Sequence, residues 1–313
     1  MNSFGKVAVL LGGLSAEREV SLRSGAAVLG SLQRQNIDAH GVDVGHDIVS
    51  VLQDGRFDCA FIALHGRRGE DGVIQGVLET LNIPYTGSGV LGSALSMDKI
   101  RSKQVWQAAG LPTPAFAVLN EDSDGSAVID ELGLPLAVKP AHEGSSLGAT
   151  RVEHLKNLAS AWRKAAEFDA TVMAEPWIIG EEYTVGILDG EALPVIRLET
   201  PREFYDYEAK YNTDDTRYHC PSGLSAADEQ QFQVLALRAF TVLGATGWGR
   251  IDFMLDKNGA PWLLENNTVP GLTDHSLVPM AAQAAGIDFD ELIRRILLAA
   301  TVPDSAGEAD NGR

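Results

Sequence analysis

The sequence predicts an α/β protein: an N-terminal parallel, doubly wound sheet followed by a larger part of α+β character. Up to about residue 95, short apolar runs alternate with amphipathic helical stretches, the pattern of parallel strands joined by crossover helices. Near residue 95 that alternation breaks, and further on two apolar runs flank Asn258-Gly259, a strong hairpin signal. At 313 residues the chain is long for one core, so two or three domains are expected.

Residues 6–11 (KVAVLL) read as a buried strand ending on Gly12-Gly13, and a helix starts at about Glu17 with Val20, Ala27 and Val28 on its inner face. The pattern repeats: strand 39–44, a short helix, strand 57–64, then helix 73–81 with Ile74, Val77, Leu78 and Leu81 at helical spacing. Ser96-Met97-Asp98-Lys99 opens a helix closing at Gly110, with Pro112 and Pro114 beyond it. Next come strand 116–119, a helix, strand 136–139, the loop AHEGSSLGA, a strand, helix 155–166 and strand 171–175. A strand at 183–188 follows Gly180-Glu181-Glu182. Residues 203–221 are aromatic, charged and aperiodic, and are expected as a long covering loop. Ser225 and Asp228 form a capping box for a helix lined by Phe232, Leu235, Ala236, Ala239 and Leu243. After the hairpin, one helix runs to Gly286 and the last spans 291–299, capped by Asp288 or Asp290. The expected domains are 1–95, 96–182 and 183–301, with 302–313 a polar, disordered tail.

The hairpin carries the first sign of chemistry. A two-residue turn at Asn258-Gly259 sets Leu255 opposite Trp262, Asp252 opposite Glu265, and Arg250 with Asn267 one step further on the same face. Two carboxylates about 5 Å apart repel by about 3 kcal/mol at an effective dielectric near 20. A cation between them resolves this, and carboxylate and amide oxygens suit Mg²⁺. The alternatives are a salt bridge from Arg250 or a register slipped by a bulge.

A formal charge of −18 and a pI near 4.7 argue against nucleic acid and anionic membranes as partners. Cys59 and Cys220 are the only cysteines and lack metal-ligand spacing, so neither a disulfide framework nor a zinc site is expected. The N-terminal apolar run is too short for a membrane span and lacks a cleavage pattern, so a cytoplasmic protein is expected.

Ligands of doubly wound sheets sit beyond the carboxyl ends of the strands, where GGLSAERE and HGRRGEDG fall. In the first loop G-x-G-x-x-G is absent; Glu17 either complements a helix dipole or meets an ammonium group. In the second, His65 stands among Arg67, Arg68, Glu70 and Asp71, equally open to a structural role. The loop after Lys139 can converge backbone amides on phosphate oxygens, or be an ordinary surface turn; it is not a Walker A loop.

The order of these blocks is more specific than any one of them. GGLSAEREVSLRSG, HGRRGEDGVIQG, MDKIRSK, VKPAHEGSSLG, EPWIIGEEYTV, YDYEAKY, GWGRIDFML and LLENNTVPGLTDHSLVPMAA together resemble the ATP-grasp ligases, and among them the D-alanine–D-alanine ligase family. The resemblance covers nearly the whole chain apart from the tail. It implies an ATP-grasp fold of three domains, with ATP between the second and third, and a homodimer formed through the N-terminal domain. By motif position, Lys99 and Lys139 would contact phosphates, and the EGSSLG loop, with Glu143 and Ser146, would close over them. Glu175, Trp177 and Ile178 would hold the adenine and Glu182 the ribose. Asp252, Glu265 and Asn267 would bind two Mg²⁺ (or Mn²⁺). Glu17 would take the first D-alanine's ammonium with His65 close by, and Lys210, Ser276 and Leu277 would receive the second substrate. Arg250 and the Gly271 amide would form an oxyanion site, while Tyr211 and Ser145 would link to Glu17.

Three positions depart from the family pattern: His142 where arginine is common, Asn266 where a small apolar residue is usual, and Val269 where serine is usual. Asn266 is expected to point away from the metal face and to need a partner there. The resemblance implies ATP-dependent synthesis of D-alanyl-D-alanine for peptidoglycan precursors. A ligase with another second substrate (D-lactate or another D-amino acid) and a nucleotide-binding regulator without turnover are the alternatives. The presence of Glu17, Arg250, Asp252, Glu265 and Asn267 speaks against the regulator.

Overall fold

The computed structural model describes residues 4–200, 216–273 and 275–300. The N-terminal apolar runs form a parallel sheet in the order β2-β1-β3: β1 Val7–Leu11, β2 Ala39–Asp43 and β3 Cys59–Ile62. Tyr85 adds a parallel bridge to Ala60. Val7, Ala8, Val9 and Leu10 are fully buried, as expected for a strand covered on both faces. Helices α1 (Arg18–Arg34), α2 (Ile48–Gly55) and α3 (Val73–Thr80) supply the crossovers.

The C-terminal helices return to this first sheet. Leu277, Val278, Ala281, Leu292, Ile293 and Ile296, from helices Leu277–Ala284 and Phe289–Leu298, share one core with β1 and β3. Asp288 caps the last helix by accepting from the Glu291 amide, settling the choice between Asp288 and Asp290. Asp290 instead reaches Arg34 of α1.

The second sheet is antiparallel, β4-β7-β5-β6: β4 Ala117–Leu119, β5 Leu136–Pro140, β6 Thr150–Val152 and β7 Val172–Pro176. Helices α6 (Gly125–Leu132) and α7 (Leu158–Ala166) contribute to its core. The third sheet runs β11-β10-β8-β12-β13, with β9 (Glu191–Ala192) on the side of β8. Its strands are β8 Gly180–Leu188, β10 Ile196–Glu199, β11 Arg217–His219, β12 Trp248–Asp256 and β13 Pro261–Asn267.

Several boundaries differ from expectation. Residue 95 lies inside helix α4 (Val90–Met97), and α5 (Lys99–Ala108) begins immediately after it. The break in pattern there is the kink at Asp98, whose extended backbone and carboxylate cap α5 through the Arg101 amide. Trp106 and Leu111 pack with Val185, Phe232 and Phe253 of the third layer, although α5 lies in the segment expected to be the central domain. Residue 183 falls within β8, not at its start. Residues 217–219, expected in the covering loop, pair with β10; residues 201–215, with Lys210 and Tyr211, lie outside the described residues.

The hairpin register is correct where it matters for two offsetting reasons. The Asp256 amide donates to the Ala260 carbonyl, and Gly259 has φ +78°, so the loop holds three residues rather than two. That shifts the pairing by one: Leu255 faces Pro261 and Met254 faces Trp262. An irregularity between Asp252 and Phe253 then restores it, leaving Leu264 as the extra residue. Asp252 therefore faces Glu265, and Arg250 faces Asn267.

Candidate active site

Two of the cavities among the described residues take in the expected site residues. The larger, about 640 Å³, lies between the second and third sheets. Its walls include Lys99, Lys139, Glu143, Ser146, Glu175, Trp177, Ile178 and Glu182, with Asp252 and Glu265 at its floor. The smaller, about 60 Å³, is walled by Glu17, His65, Ser145, Arg250, Asn267, Gly271, Ser276 and Leu277, and also by Glu70. Alternate rungs of one hairpin, on the same face, serve both: Asp252 and Glu265 face the first cavity, Arg250 and Asn267 the second. Every site residue expected from the sequence and described here lines one cavity or the other; Lys210 and Tyr211 lie outside the described residues.

The larger cavity is built around a buried carboxylate. Glu175, on β7, holds Lys103 at 2.6 Å and Lys139 at 2.5 Å. Burial alone would raise its pKa, but the two ammonium groups outweigh that and hold it at about 2. Lys103 is fully buried; desolvation and the neighbouring lysines lower its pKa to about 8 despite Glu175. Lys103 was not anticipated. It lies four residues after Lys99 on the same helix face, a spacing that could have pointed to it. Its ammonium also donates to Thr113, which donates in turn to the Leu263 carbonyl. Lys99 donates to the Glu143 carbonyl at 2.6 Å and lies 3.3 Å from Glu265. The Arg151 guanidinium stacks 5.4 Å from the Trp177 ring, giving this end a flat wall.

The loop between β5 and β6 separates the cavities. Ser145 (φ 52°) and Ser146 (φ 56°) are both left-handed, a strained pair of the kind that clusters at functional sites. Ser145 points to the small cavity and donates to Glu17 at 2.5 Å, while Ser146 lines the large one. Glu17 precedes α1 and is wedged between two glycines. A Cβ on Gly66 would come within 2.8 Å of its Oε2, and one on Gly144 within 3.0 Å.

His65 is tied on both ring nitrogens. Nε2 lies 3.0 Å from Ser24 Oγ; Nδ1 lies 2.8 Å from the Val269 carbonyl and 3.4 Å from Glu70. Burial lowers its pKa, but Glu70, Glu17 and that carbonyl outweigh burial and raise it. Val269 thus serves the site through its backbone, its side chain being buried. Ser276 precedes helix Leu277–Ala284 and accepts from the Thr273 amide at 2.9 Å.

The oxygen donors Asp252, Glu265 and Asn267 fit a hard divalent cation by type and position. In this structure their charge is already offset. Arg250 grips Asp252 with Nε and Nη2 (2.8 and 2.7 Å), Thr184 Oγ1 and the Asn267 amide also donate to Asp252, and Lys99 approaches Glu265. The salt bridge weighed as an alternative is therefore present. To take a cation, Asp252 would release part of Arg250's grip and Asn267 would turn its amide oxygen inward. Asn266 points to the opposite face as expected, donates to Ser96 at 2.7 Å, and leaves its Oδ1 without a partner among the described residues.

The chain is similar to known proteins over nearly its whole length. A family model described as D-ala D-ala ligase C-terminus matches residues 105–298, and one described as D-ala D-ala ligase N-terminus matches residues 48–88. A D-alanine–D-alanine ligase of Nitrosococcus oceani is 62% identical over 297 residues, covering 95% of this chain and 94% of that one. One of Alkalilimnicola ehrlichii is 61% identical over 296 residues, with coverages of 95% and 94%. A crystal structure of the Bacillus anthracis D-alanine–D-alanine ligase complexed with ATP superposes with a TM-score of 0.84 at 33% identity. It covers 94% of this chain and 97% of that one.

Proposed function

Because the chain belongs to the D-alanine–D-alanine ligase family, we propose that it joins two D-alanines at the expense of ATP, releasing ADP and phosphate, to supply peptidoglycan precursors. The observation that supports this best is the hairpin shared by a nucleotide-sized cavity and a small, charged one. ATP would occupy the larger cavity, its adenine against Trp177 and Ile178 beside Glu175, its ribose at Glu182, and its phosphates near Lys99, Lys139, Glu143 and Ser146. Asp252, Glu265 and Asn267 would hold two Mg²⁺ or Mn²⁺ ions, which supply charge neutralisation at the transferring phosphoryl group when bound.

The first D-alanine would set its ammonium on Glu17, with the Ser145–Glu17 hydrogen bond fixing that carboxylate and His65 close by. Its carboxylate oxygen bonds the γ-phosphorus as the bond to ADP breaks, giving an acylphosphate. The second D-alanine, its carboxylate received by Ser276, Leu277 and Lys210, loses an ammonium proton and attacks the carbonyl carbon. Arg250 and the Gly271 amide would stabilise the resulting oxyanion. The nitrogen gives up a second proton and phosphate leaves. Water would hydrolyse the acylphosphate, so the site must exclude it while that intermediate lasts.

The three-part division of the chain and a homodimer through the N-terminal segment belong to the same proposal. A cytoplasmic setting belongs to it as well; no helix among the described residues is long and apolar enough to cross a membrane. Phosphate release with ATP, Mg²⁺ and D-alanine, followed by identification of the dipeptide, tests the reading. ATP cleavage without dipeptide, or dipeptide only with a different second substrate, would defeat it.

A further inference from the structure

We propose that His142 is a positioning residue that clamps the 143–149 loop to the start of α5 and thereby sets the affinity for nucleotide. The proposal rests on the nucleotide-binding reading of the larger cavity, whose walls His142 itself does not join.

The ring joins two separate pieces of chain. Nδ1 lies 2.6 Å from Asp169, in the turn between α7 and β7, and Nε2 lies 3.3 Å from Asp98, the cap of α5. The His142 backbone amide also donates to Asp169 at 2.9 Å. Lys99 follows Asp98 directly, while Glu143, Ser145 and Ser146 follow His142, so one ring ties together both approaches to the phosphate end of the cavity.

Both partners are carboxylate oxygens, which only accept, so the ring serves both only when it carries a proton on each nitrogen. A neutral ring turns a lone pair toward one of them. The charged groups around it are Asp98 and Asp169, with Arg67 reaching Asp169 at 3.3 Å and Glu143 at 2.6 Å, and Arg101 3.9 Å from Asp98. The hydrogen bond to Asp98 raises the pKa of His142, burial opposes it, and Asp169 raises it further. While Asp98 and Asp169 stay ionised, the clamp is therefore complete below the ordinary imidazole value and opens as pH rises through that raised value.

Three full-length proteins test this: wild type, His142→Arg, which carries its charge at every accessible pH, and Asp98→Asn, which keeps the helix cap but not its charge. ATP with Mg²⁺, D-alanine withheld, is the binding probe. From about pH 6.5 to about pH 9, the wild-type Kd should rise by about threefold to tenfold more than that of His142→Arg. Lys103 titrates in the same window but is common to both proteins, so the difference reads His142. In wild type, the histidine proton resonance missing from His142→Arg should titrate above the ordinary value, and Asp98→Asn should lower it. Equal pH dependence in wild type and His142→Arg, or an unshifted resonance, would overturn the proposal. Failure of every protein to bind ATP at any pH would instead defeat the nucleotide reading, and the positioning role with it, even if the resonance were shifted.

Discussion

Arg250 and Asp252 stand two residues apart on one face of β12 and hold each other through paired hydrogen bonds of 2.8 and 2.7 Å. The pair marks the seam between the two cavities, so whatever draws Asp252 toward the nucleotide frees Arg250 toward the smaller site. A cation near Asp252 and an oxyanion near Arg250 would each compete with the pair, and each would make the other easier to accommodate.

Arg250→Ala is expected to lower kcat by about 10²- to 10³-fold, the usual cost of one oxyanion donor. It also releases Asp252, so the Mg²⁺ concentration giving half-maximal rate should stay level or fall. Steady-state rates over a Mg²⁺ series measure both. A raised KM for ATP with normal kcat would place Arg250 on the nucleotide side instead.

Glu265→Gln is expected to abolish most turnover while changing stability by about 1 kcal/mol or less. Glutamine keeps an oxygen that can accept from Lys99, 3.3 Å away, and it removes the repulsion from the opposed Asp252. Urea unfolding without metal, set beside activity over a Mg²⁺ series, checks this. Unfolding of the variant together with indifference to Mg²⁺ would make the carboxylate structural.

Much of this was legible from local pattern. Alternation placed β1 to β3 and their helices, and the opposed carboxylates at 252 and 265 marked the end of the hairpin that borders the larger cavity. What escaped was set partly by local side-chain bonds to the backbone and partly by tertiary packing. The turn chemistry suggested a two-residue loop, but Asp256 accepts from the Asn258 and Ala260 amides and stabilises a three-residue one. Lys103 was not singled out beside Lys99; only the fold sets it against Glu175. The break near residue 95 was real, yet it marked a kink between two helices, because Asp98 caps the second.

Lys103→Met removes one of Glu175's two cations and should cost about 1–3 kcal/mol at neutral pH, below the usual penalty for breaking a buried pair because Lys139 remains. The acid limb supplies the sign. Glu175 is depressed from 4.5 to about 2 in the folded protein, so its contribution is complete above 4.5 and is lost as pH falls toward 2. With one lysine gone the depression shrinks, and stability should fall less steeply across that window than in wild type. Denaturant unfolding of both proteins from about pH 5.5 to about pH 3 measures the slopes. Parallel slopes would mean that Lys103 does not hold the Glu175 charge.

Gly66→Ala separates the position of Glu17 from the stability of the fold. Gly66 has φ +71°, and an added Cβ would lie 2.8 Å from Glu17 Oε2 and 3.3 Å from Ser15. Glu17 is the far end of a flexible side chain, so it can yield; it does so by leaving Ser145. The left-handed backbone itself costs an alanine about 1 kcal/mol. Gly286→Ala is the control: φ is +81° there and nothing lies within 4 Å of the added carbon. Both variants should therefore lose similar stability, about 2–4 °C in Tm. Only Gly66→Ala should raise the KM for D-alanine, by about tenfold if the ammonium contact is weakened by about 1.4 kcal/mol. Its ATP affinity should stay near wild type, because Gly66 does not line the larger cavity. Equal KM values for D-alanine in the two variants would show that the first substrate's ammonium is held elsewhere than on Glu17.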